Sequence, residues 1–268
     1  MAAINLTFTT LSHLHLRHHH QHLLLPNPPL IPHHPPPSLQ HHKQLRLSSS
    51  SSSVSLPVNR CSRIRVSAAA VASSEFGDDV AEILGGVTVY AAGTGKAVKF
   101  RNLWDQKQGI AVVVLLRHFG CICCWELASV LKESIPKFDS AGMKLIAVGV
   151  GTPDKARMLA ELLPFPLECL YADPERKAYD VLGLYYGIGR TFFNPASLKV
   201  FSRKDSLKKA AKNYTIDATP ADRSGVLQQG GMFVFRGKEL LYARKDEGTG
   251  DHAPLEDIFD VCCKVPVT

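Results

Sequence analysis

The sequence predicts an α/β domain with a central mixed sheet flanked by helices, and three observations predict it. Two unbroken apolar runs, residues 110–116 and 145–150, read as strands covered on both faces. Stretches with helical spacing lie between and behind them, and strand alternating with helix is the pattern of a parallel core. Near the carboxyl end, two short apolar runs flank Arg236-Gly237-Lys238-Glu239, a Gly-bearing connection that reads as an antiparallel hairpin.

In chain order, residues 87–91 and 97–100 are short opening strands and residues 110–116 the first central one. Leu127, Val130, Leu131, Ile135 and Phe138 then make a helical stripe; Pro136 predicts a kink or an end, and Ala141-Gly142 supplies the stop. Behind the strand at 145–150, Thr152 is the expected N-cap of a helix that opens with Pro153 and Asp154 and runs to about Leu163. Residues 168–171 read as a strand and 174–182 as a helix. The stretch from about 184 to 229 is too long for an ordinary loop and predicts an insertion with helical parts. The hairpin strands follow at 232–235 and 240–243. A terminal helix begins near Pro254, where Leu255, Ile258, Phe259 and Cys262 recur at i, i+3, i+4 and i+7. A βαβ front half, a hairpin and a closing helix together describe a thioredoxin-like fold with its insertion placed before the C-terminal hairpin.

The domain organisation follows from composition. The first 74 of the 268 residues carry no Asp or Glu but six basic residues (Arg17, Lys43, Arg46, Arg60, Arg63, Arg65), a serine run at 48–53 and ten histidines. An acid-free, Ser-rich, Arg-bearing amino terminus is the composition of an organellar transit peptide. Leu23 to Leu25 is too short for a secretory core and is broken at once by Pro26, so neither an export signal nor a membrane span fits. The segment Ile64-Arg65-Val66-Ser67-Ala68 resembles a plastid processing site. The expected organisation is a transit peptide at 1–66, a linker at 67–79 and one domain at 80–268, in the chloroplast stroma. The formal charge of +7, less the six leader positives, leaves +1, which argues against nucleic acid as a partner. The leader histidines lack a scaffold and are not read as a metal site.

The chemistry concentrates at Cys121-Ile122-Cys123-Cys124, directly behind the first central strand. A thiol reacts as thiolate, and the first N–H groups of a helix favour an anion there, so Cys121 is the expected nucleophile, the more acidic and more exposed sulfur. Cys124, three residues on, shares its helical face at a Cβ spacing of about 5–6 Å, which the half-helical first residue can bring towards the roughly 3.5–4.5 Å of a disulfide. Cys124 is thus the expected resolving thiol and Cys123 a bystander or packing residue. Arg117 either lowers the thiolate pKa or orients an anionic substrate, or else is a surface cation paired with Glu126; Glu126 itself would raise a neighbouring thiol's pKa. His118 is expected to pack or face solvent, because consecutive side chains of a strand diverge. His252 is read as structural, behind a capping Asp251. Cys169, in a short strand, and Cys262-Cys263, in the last helix, read as small buried hydrophobes, and three clustered Cys without a second pair argue against zinc. Lys199, Arg203, Lys204, Lys208, Lys209 and Lys212, against the single acid Asp205, read as a solvated helix face, with a docking patch for an acidic electron donor as the sharper reading.

Four blocks in order, Arg117 to Glu126, Tyr171-Ala172-Asp173-Pro174-Glu175-Arg176, Gln229-Gly230-Gly231-Met232-Phe233-Val234 and Asp251-His252-Ala253-Pro254, resemble the peroxiredoxin-like 2 family. The resemblance implies a thioredoxin-like fold among alkyl hydroperoxide reductases and thiol-specific antioxidants, with a redox pair at Cys121 and Cys124 and no cofactor. The chain departs from typical peroxiredoxins in holding Arg117, His118 and Phe119 where a Pro and a Thr or Ser precede the reactive Cys. It departs from thioredoxins in placing Gly230-Gly231 where a cis-proline stands. The expected function is a thiol–disulfide oxidoreductase with an antioxidant role, reducing peroxides, lipid peroxides among them, or disulfides, and reset by an external dithiol such as a plastid thioredoxin. Its rivals are a non-catalytic interaction or redox-sensing protein and, more remotely, a carrier of monovalent copper on the three thiols.

Overall fold

The computed structural model describes residues 76–263, and the side chain of Cys263 is not described. The expected leader at 1–66 and most of the expected linker lie outside the described residues.

In chain order the elements are α1 (Val80–Gly86), β1 (Thr88–Ala91), β2 (Ala97–Lys99), β3 (Ile110–His118), α2 (Ile122–Ser140), β4 (Met143–Val150), α3 (Pro153–Leu162), β5 (Leu170–Ala172), α4 (Lys177–Val181), α5 (Lys204–Ala211), β6 (Gly231–Arg236), β7 (Glu239–Lys245) and α6 (Leu255–Cys263). The seven strands form one sheet in the order β2-β1-β5-β4-β3-β6-β7. Strands β3, β4 and β5 run parallel, and the remaining pairings are antiparallel. The sheet is mixed and thioredoxin-like, as the sequence predicts.

Alternation along β3 explains its unbroken apolar run. Val112, Val114 and Leu116 pack with Trp125, Leu131 and Phe138 of α2 and Ile258 of α6 on one face. Ala111, Val113 and Leu115 meet Leu84, Phe100 and Tyr179 on the other. The run from Ala111 to Leu116, covered on both sides, is therefore apolar throughout, and each buried Val or Leu in it contributes about 1.5–3 kcal/mol.

Several expectations are corrected. Helix α1 lies where no helix was expected; VAEILGG is short and ends in two glycines, which hides its pattern. Helix α2 does not end at Pro136 but runs on to Ser140, where Ala141 and Gly142 stop it as expected. Pro136 is exposed in the last turns, and the helix end is held by Phe138, whose ring stacks on Phe259 at 5.1 Å. Val130, read as core-facing, is exposed. Thr152 occupies the N-cap position of α3 but makes no side-chain cap bond. Cys169 sits in a 3-10 turn, Leu167–Cys169, rather than in a strand, though it is buried as expected.

Between α4 and β6 the chain winds through a π turn (Gly189–Phe193), 3-10 segments at Pro195–Arg203, Ile216–Ala218 and Arg223–Leu227, and the single regular helix α5. The segment returns to the sheet at Gly230, where a Cβ would lie 2.3 Å from the Leu115 carbonyl oxygen. Only glycine fits there. No peptide bond among the described residues is cis, in keeping with Gly-Gly in place of a cis-proline.

Candidate active site

Cys121 is the N-cap residue of α2, with extended backbone (φ −92°, ψ 117°), at the carboxyl end of β3. Its carbonyl accepts from Cys124 N at 2.9 Å and Trp125 N at 3.1 Å, and its own N–H donates to His118 O at 3.1 Å. The turn before it is pinned twice more. Trp125 Nε1 donates to Phe119 O at 2.6 Å, and Tyr214 Oη, from the insertion, donates to Gly120 O at 2.8 Å.

All three sulfurs are buried and free: Cys121 is 6%, Cys123 2% and Cys124 0% exposed. Cys121 is the most exposed of the three, as expected, yet it is closed off from solvent. Hydrogen bonds from the Cys123 and Cys124 thiols hold the Cys121 pKa well below the usual thiol value against the opposing effect of burial, and the charges of Arg117 and His118 add to them. Burial, a thiol hydrogen bond to Cys121 and the Cys121 charge push Cys124 up, and a separate thiol hydrogen bond to Cys121, burial and the Cys121 charge push Cys123 up. The shifts run in opposite directions, down at Cys121 and up at Cys123 and Cys124, because the three thiols face one another. Cys123, expected to be a bystander or packing residue, is buried, and its thiol also faces Cys121.

Arg117 is buried, its Nη1 3.4 Å from Cys121 Sγ, while its main-chain N–H points at Cys124 Sγ at 3.3 Å. The rest of the guanidinium is held by carbonyls of the insertion, Nε on Gln228 O at 3.0 Å and Nη2 on Val226 O at 2.6 Å. Five donors in a fixed fork suit this three-way grip. Arg117 does not pair with Glu126. That buried carboxylate faces Arg203 at 3.2 Å, its pKa raised by burial and drawn back by the Arg203 charge, and it bears on Cys123 rather than Cys121.

His118 is buried and its pKa is lowered, chiefly by burial; the register of β3 against β4 shifts between Leu116 and His118, so strict alternation fails there and the ring comes within electrostatic reach of Cys121. His252, read as structural, is buried between a carboxylate and the backbone of α2. Its Nδ1 is 2.9 Å from Asp246 Oδ2 and its Nε2 3.3 Å from Cys123 O. Burial works to lower its pKa, but the Asp246 charge and hydrogen bond outweigh it and hold it raised. Asp251 does not serve as a simple cap: it takes Lys199 at 2.9 Å and Arg244 at 3.0 Å on one oxygen. Of the basic segment, Lys199, Arg203 and Lys209 are paired with Asp251, Glu126 and Glu133 of the domain body, which ties the insertion down.

The residues that sequence reasoning missed are those of the insertion: Tyr214, Thr219, Val226 and Gln228. Two of them act through main-chain carbonyls, which leave no trace in side-chain type. Among the described residues no group of His, Cys, Asp or Glu is placed to hold a metal ion, and no helix is long and apolar enough to cross a membrane.

The chain is similar to the thioredoxin-like protein AAED1, chloroplastic, of Arabidopsis thaliana, at 34% identity over 215 residues, 79% of this chain and 84% of that protein. It belongs to the peroxiredoxin-like 2 family of AhpC/TSA antioxidant proteins. Peroxiredoxin-like 2C of Mus musculus is 29% identical over 80% of this chain and 93% of its own length. The prostamide/prostaglandin F synthase of Pongo abelii is 31% identical over 63% of this chain and 81% of its own. The family model described as AhpC/TSA antioxidant enzyme matches residues 130–248, from within α2 to beyond β7. That match starts downstream of the three cysteines of this peroxiredoxin-like 2 protein.

Proposed function

We propose that this peroxiredoxin-like 2 protein is a thiol-dependent peroxide reductase in which Cys121 is the nucleophile and Cys124 the resolving thiol. The observation that carries the reading is the geometry of the turn: Cys121 caps the start of α2 with Arg117 Nη1 3.4 Å from its sulfur, and Cys124 Sγ lies 3.3 Å from the Arg117 main-chain N–H; the lowered pKa of Cys121 and the raised pKa of Cys124 agree with it. A low-pKa thiolate beside a proton-bearing thiol is the arrangement that sulfenic acid chemistry needs.

In the first step the Cys121 thiolate attacks the terminal oxygen of ROOH. The O–O bond breaks, Cys121 becomes a sulfenic acid, and the alkoxide leaves and takes a proton to give ROH. The Cys124 sulfur then attacks Cys121, the S–O bond breaks, and water departs with the Cys124 proton. The main-chain N–H of Arg117, 3.3 Å from Cys124 Sγ, is placed to favour that sulfur as its proton leaves. An external dithiol reduces the resulting disulfide by exchange and is itself oxidised to a disulfide. Relatives named as prostamide/prostaglandin F synthases make lipid-derived peroxides one substrate class to try.

The test is stopped-flow oxidation of the reduced protein by hydrogen peroxide, an alkyl hydroperoxide and a small disulfide, with the sulfurs assigned by mass. Rapid peroxide-driven formation of a Cys121–Cys124 disulfide is expected. Cys121→Ser should abolish it, and Cys124→Ser should stop at a Cys121 sulfenic acid. Reaction with the small disulfide alone would make the protein a disulfide reductase, and inertness to all three would leave an interaction or sensing role.

The reading includes a plastid address. Residues 1–66 are proposed as the transit peptide and 67–79 as a linker before the domain at 80–268, supported by the acid-free leader and by the chloroplastic relative. A reporter fused to residues 1–66 should enter isolated chloroplasts and be shortened there; a reporter left outside would refute the address.

A further inference from the structure

We propose that the insertion carries a surface that seats this protein on an anionic lipid bilayer, its apolar side chains entering the headgroup boundary and a row of lysines facing the lipid phosphates. The proposal rests on residues 186–212 and does not depend on the reading of Cys121.

The sidedness of this segment is inverted. Its polar side chains face the domain. Thr191 is buried, its hydroxyl donating to Gly187 O at 2.9 Å and its carbonyl accepting from Thr249 Oγ1 at 2.8 Å. Ser197 Oγ accepts from the Thr249 N–H at 2.9 Å, and Lys199 and Arg203 reach Asp251 and Glu126. Val200 turns inward onto the core, but the larger apolar side chains face out: Ile188, Phe192, Phe193, Leu198 and Phe201 lie between 58% (Ile188) and 79% (Phe193) exposed. A single exposed apolar residue is ordinary, whereas five within residues 188–201 mark a contact with something other than water.

The charges stand beside that patch. Leu198 and Phe201 are three apart in the 3-10 segment Pro195–Arg203, where three residues make a turn, so they stand one above the other. The segment runs without a break into α5, on which Lys204, Lys208 and, at its end, Lys212 follow one face, all exposed. Residues 184–213 hold seven basic residues against the single acid Asp205. Apolar tips next to a row of cations are what an interfacial contact needs: the tips leave water at the lipid boundary, and the lysines come within a Debye length of anionic headgroups.

Charge also selects the occupant. A second copy of this chain would set the same basic residues against each other, and the leader, with six basic and no acidic residues in the first 74, would do likewise. Lipid phosphates bring the opposite charge. Phenyl rings projecting from a short turn need a fitted socket on a protein partner, while a bilayer takes them without one.

The experiment is flotation of the full-length protein with phosphatidylcholine vesicles, made with and without phosphatidylglycerol. Wild type is compared with Phe193→Gln/Phe201→Gln and with Lys204→Gln/Lys208→Gln/Lys212→Gln, each keeping the leader intact so that its charge acts equally in all. Wild type should float with the phosphatidylglycerol vesicles and let go as salt rises. The lysine variant should lose about 100-fold in partitioning and the phenylalanine variant about 10- to 100-fold. Both should keep the wild-type thermal midpoint, because the altered side chains are exposed; should one fail to fold, the other carries the comparison. Phe193→Trp reads insertion directly: Trp104 and Trp125 are buried, so a blue shift and quenching by brominated lipid beyond those of wild type belong to position 193. Equal flotation of all three proteins, or a reporter at 193 that stays in water, would overturn the proposal and leave any binding to the leader. Retention on immobilised polyglutamate without vesicle binding would overturn it as well, making the patch a docking face for an acidic protein, and so would a wild type that binds neither.

Discussion

At the scale of single residues, three sulfurs within four positions differ because each has different surroundings. Cys121 caps the helix and receives donors; Cys123 and Cys124 lie inside the first turn, buried, and supply them. The sequence pointed to Cys121 and Cys124 through helix geometry, and it passed over Cys123 because side-chain spacing does not report which sulfur holds the proton. A direct consequence concerns pH. With its pKa lowered well below the ordinary thiol value, Cys121 should keep its alkylation rate to lower pH than a free thiol does, the rate falling as pH drops through the lowered value. Cys123→Ala removes one of the two thiol donors to Cys121 and should move that inflection upward, whereas Cys123→Ser, which keeps an O–H, should leave it nearer the wild type. Iodoacetamide rates from pH 4 to 10 would read this, and an unmoved inflection in the alanine variant would return Cys123 to a packing role.

At the scale of elements, the ion pairs between the insertion and α2 set how firmly the site is covered. Arg203 reaches from the insertion to Glu126, a carboxylate that is 8% exposed, and also donates to Gly250 O at 2.8 Å. Arg203→Met would leave that carboxylate buried without a counter-charge and should cost about 1–3 kcal/mol of stability, with part recovered in the Arg203→Met/Glu126→Gln double variant. Urea unfolding of the four proteins in the cycle measures the coupling; additive losses would mean the pair is incidental. The Lys209–Glu133 pair, exposed at both ends, should be worth under about 1 kcal/mol. Helix α2 also shows where sequence rules give way. Pro136 costs the helix a hydrogen bond, but aromatic packing of Phe138 on Phe259 keeps the last turns in place.

At the scale of the whole molecule, the insertion closes the site that the sheet presents. Strand β3 delivers Arg117 and the cysteine turn to one end of the sheet, and residues 214–228 lie across it through Tyr214, Thr219 and the Val226 and Gln228 carbonyls. Gly120 is the point of closest approach. Gly120→Ala should push the cover away, cost about 1–3 kcal/mol and speed alkylation of Cys121 by opening a thiol that is now 6% exposed. The thermal midpoint and the alkylation rate at fixed pH test both halves; a slower or unchanged alkylation would show that Thr219 does not limit access.

What the sequence determined by itself was the sheet, most of its helices, the family and the position of the cysteine turn behind β3. These are written in local periodicity and in one short motif, since strands buried on both faces and amphipathic helices constrain residues two to four apart. Helix α1 escaped because it is short and glycine-ended. Only the tertiary structure decided what surrounds Cys121. The guanidinium of Arg117 is gripped by carbonyls 109 and 111 residues away, His252 meets the Cys123 carbonyl across 129 residues, and an unpartnered Thr219 hydroxyl sits against Gly120. Contacts of that kind arise from chain return and main-chain atoms, and no spacing of residue types along the chain encodes them.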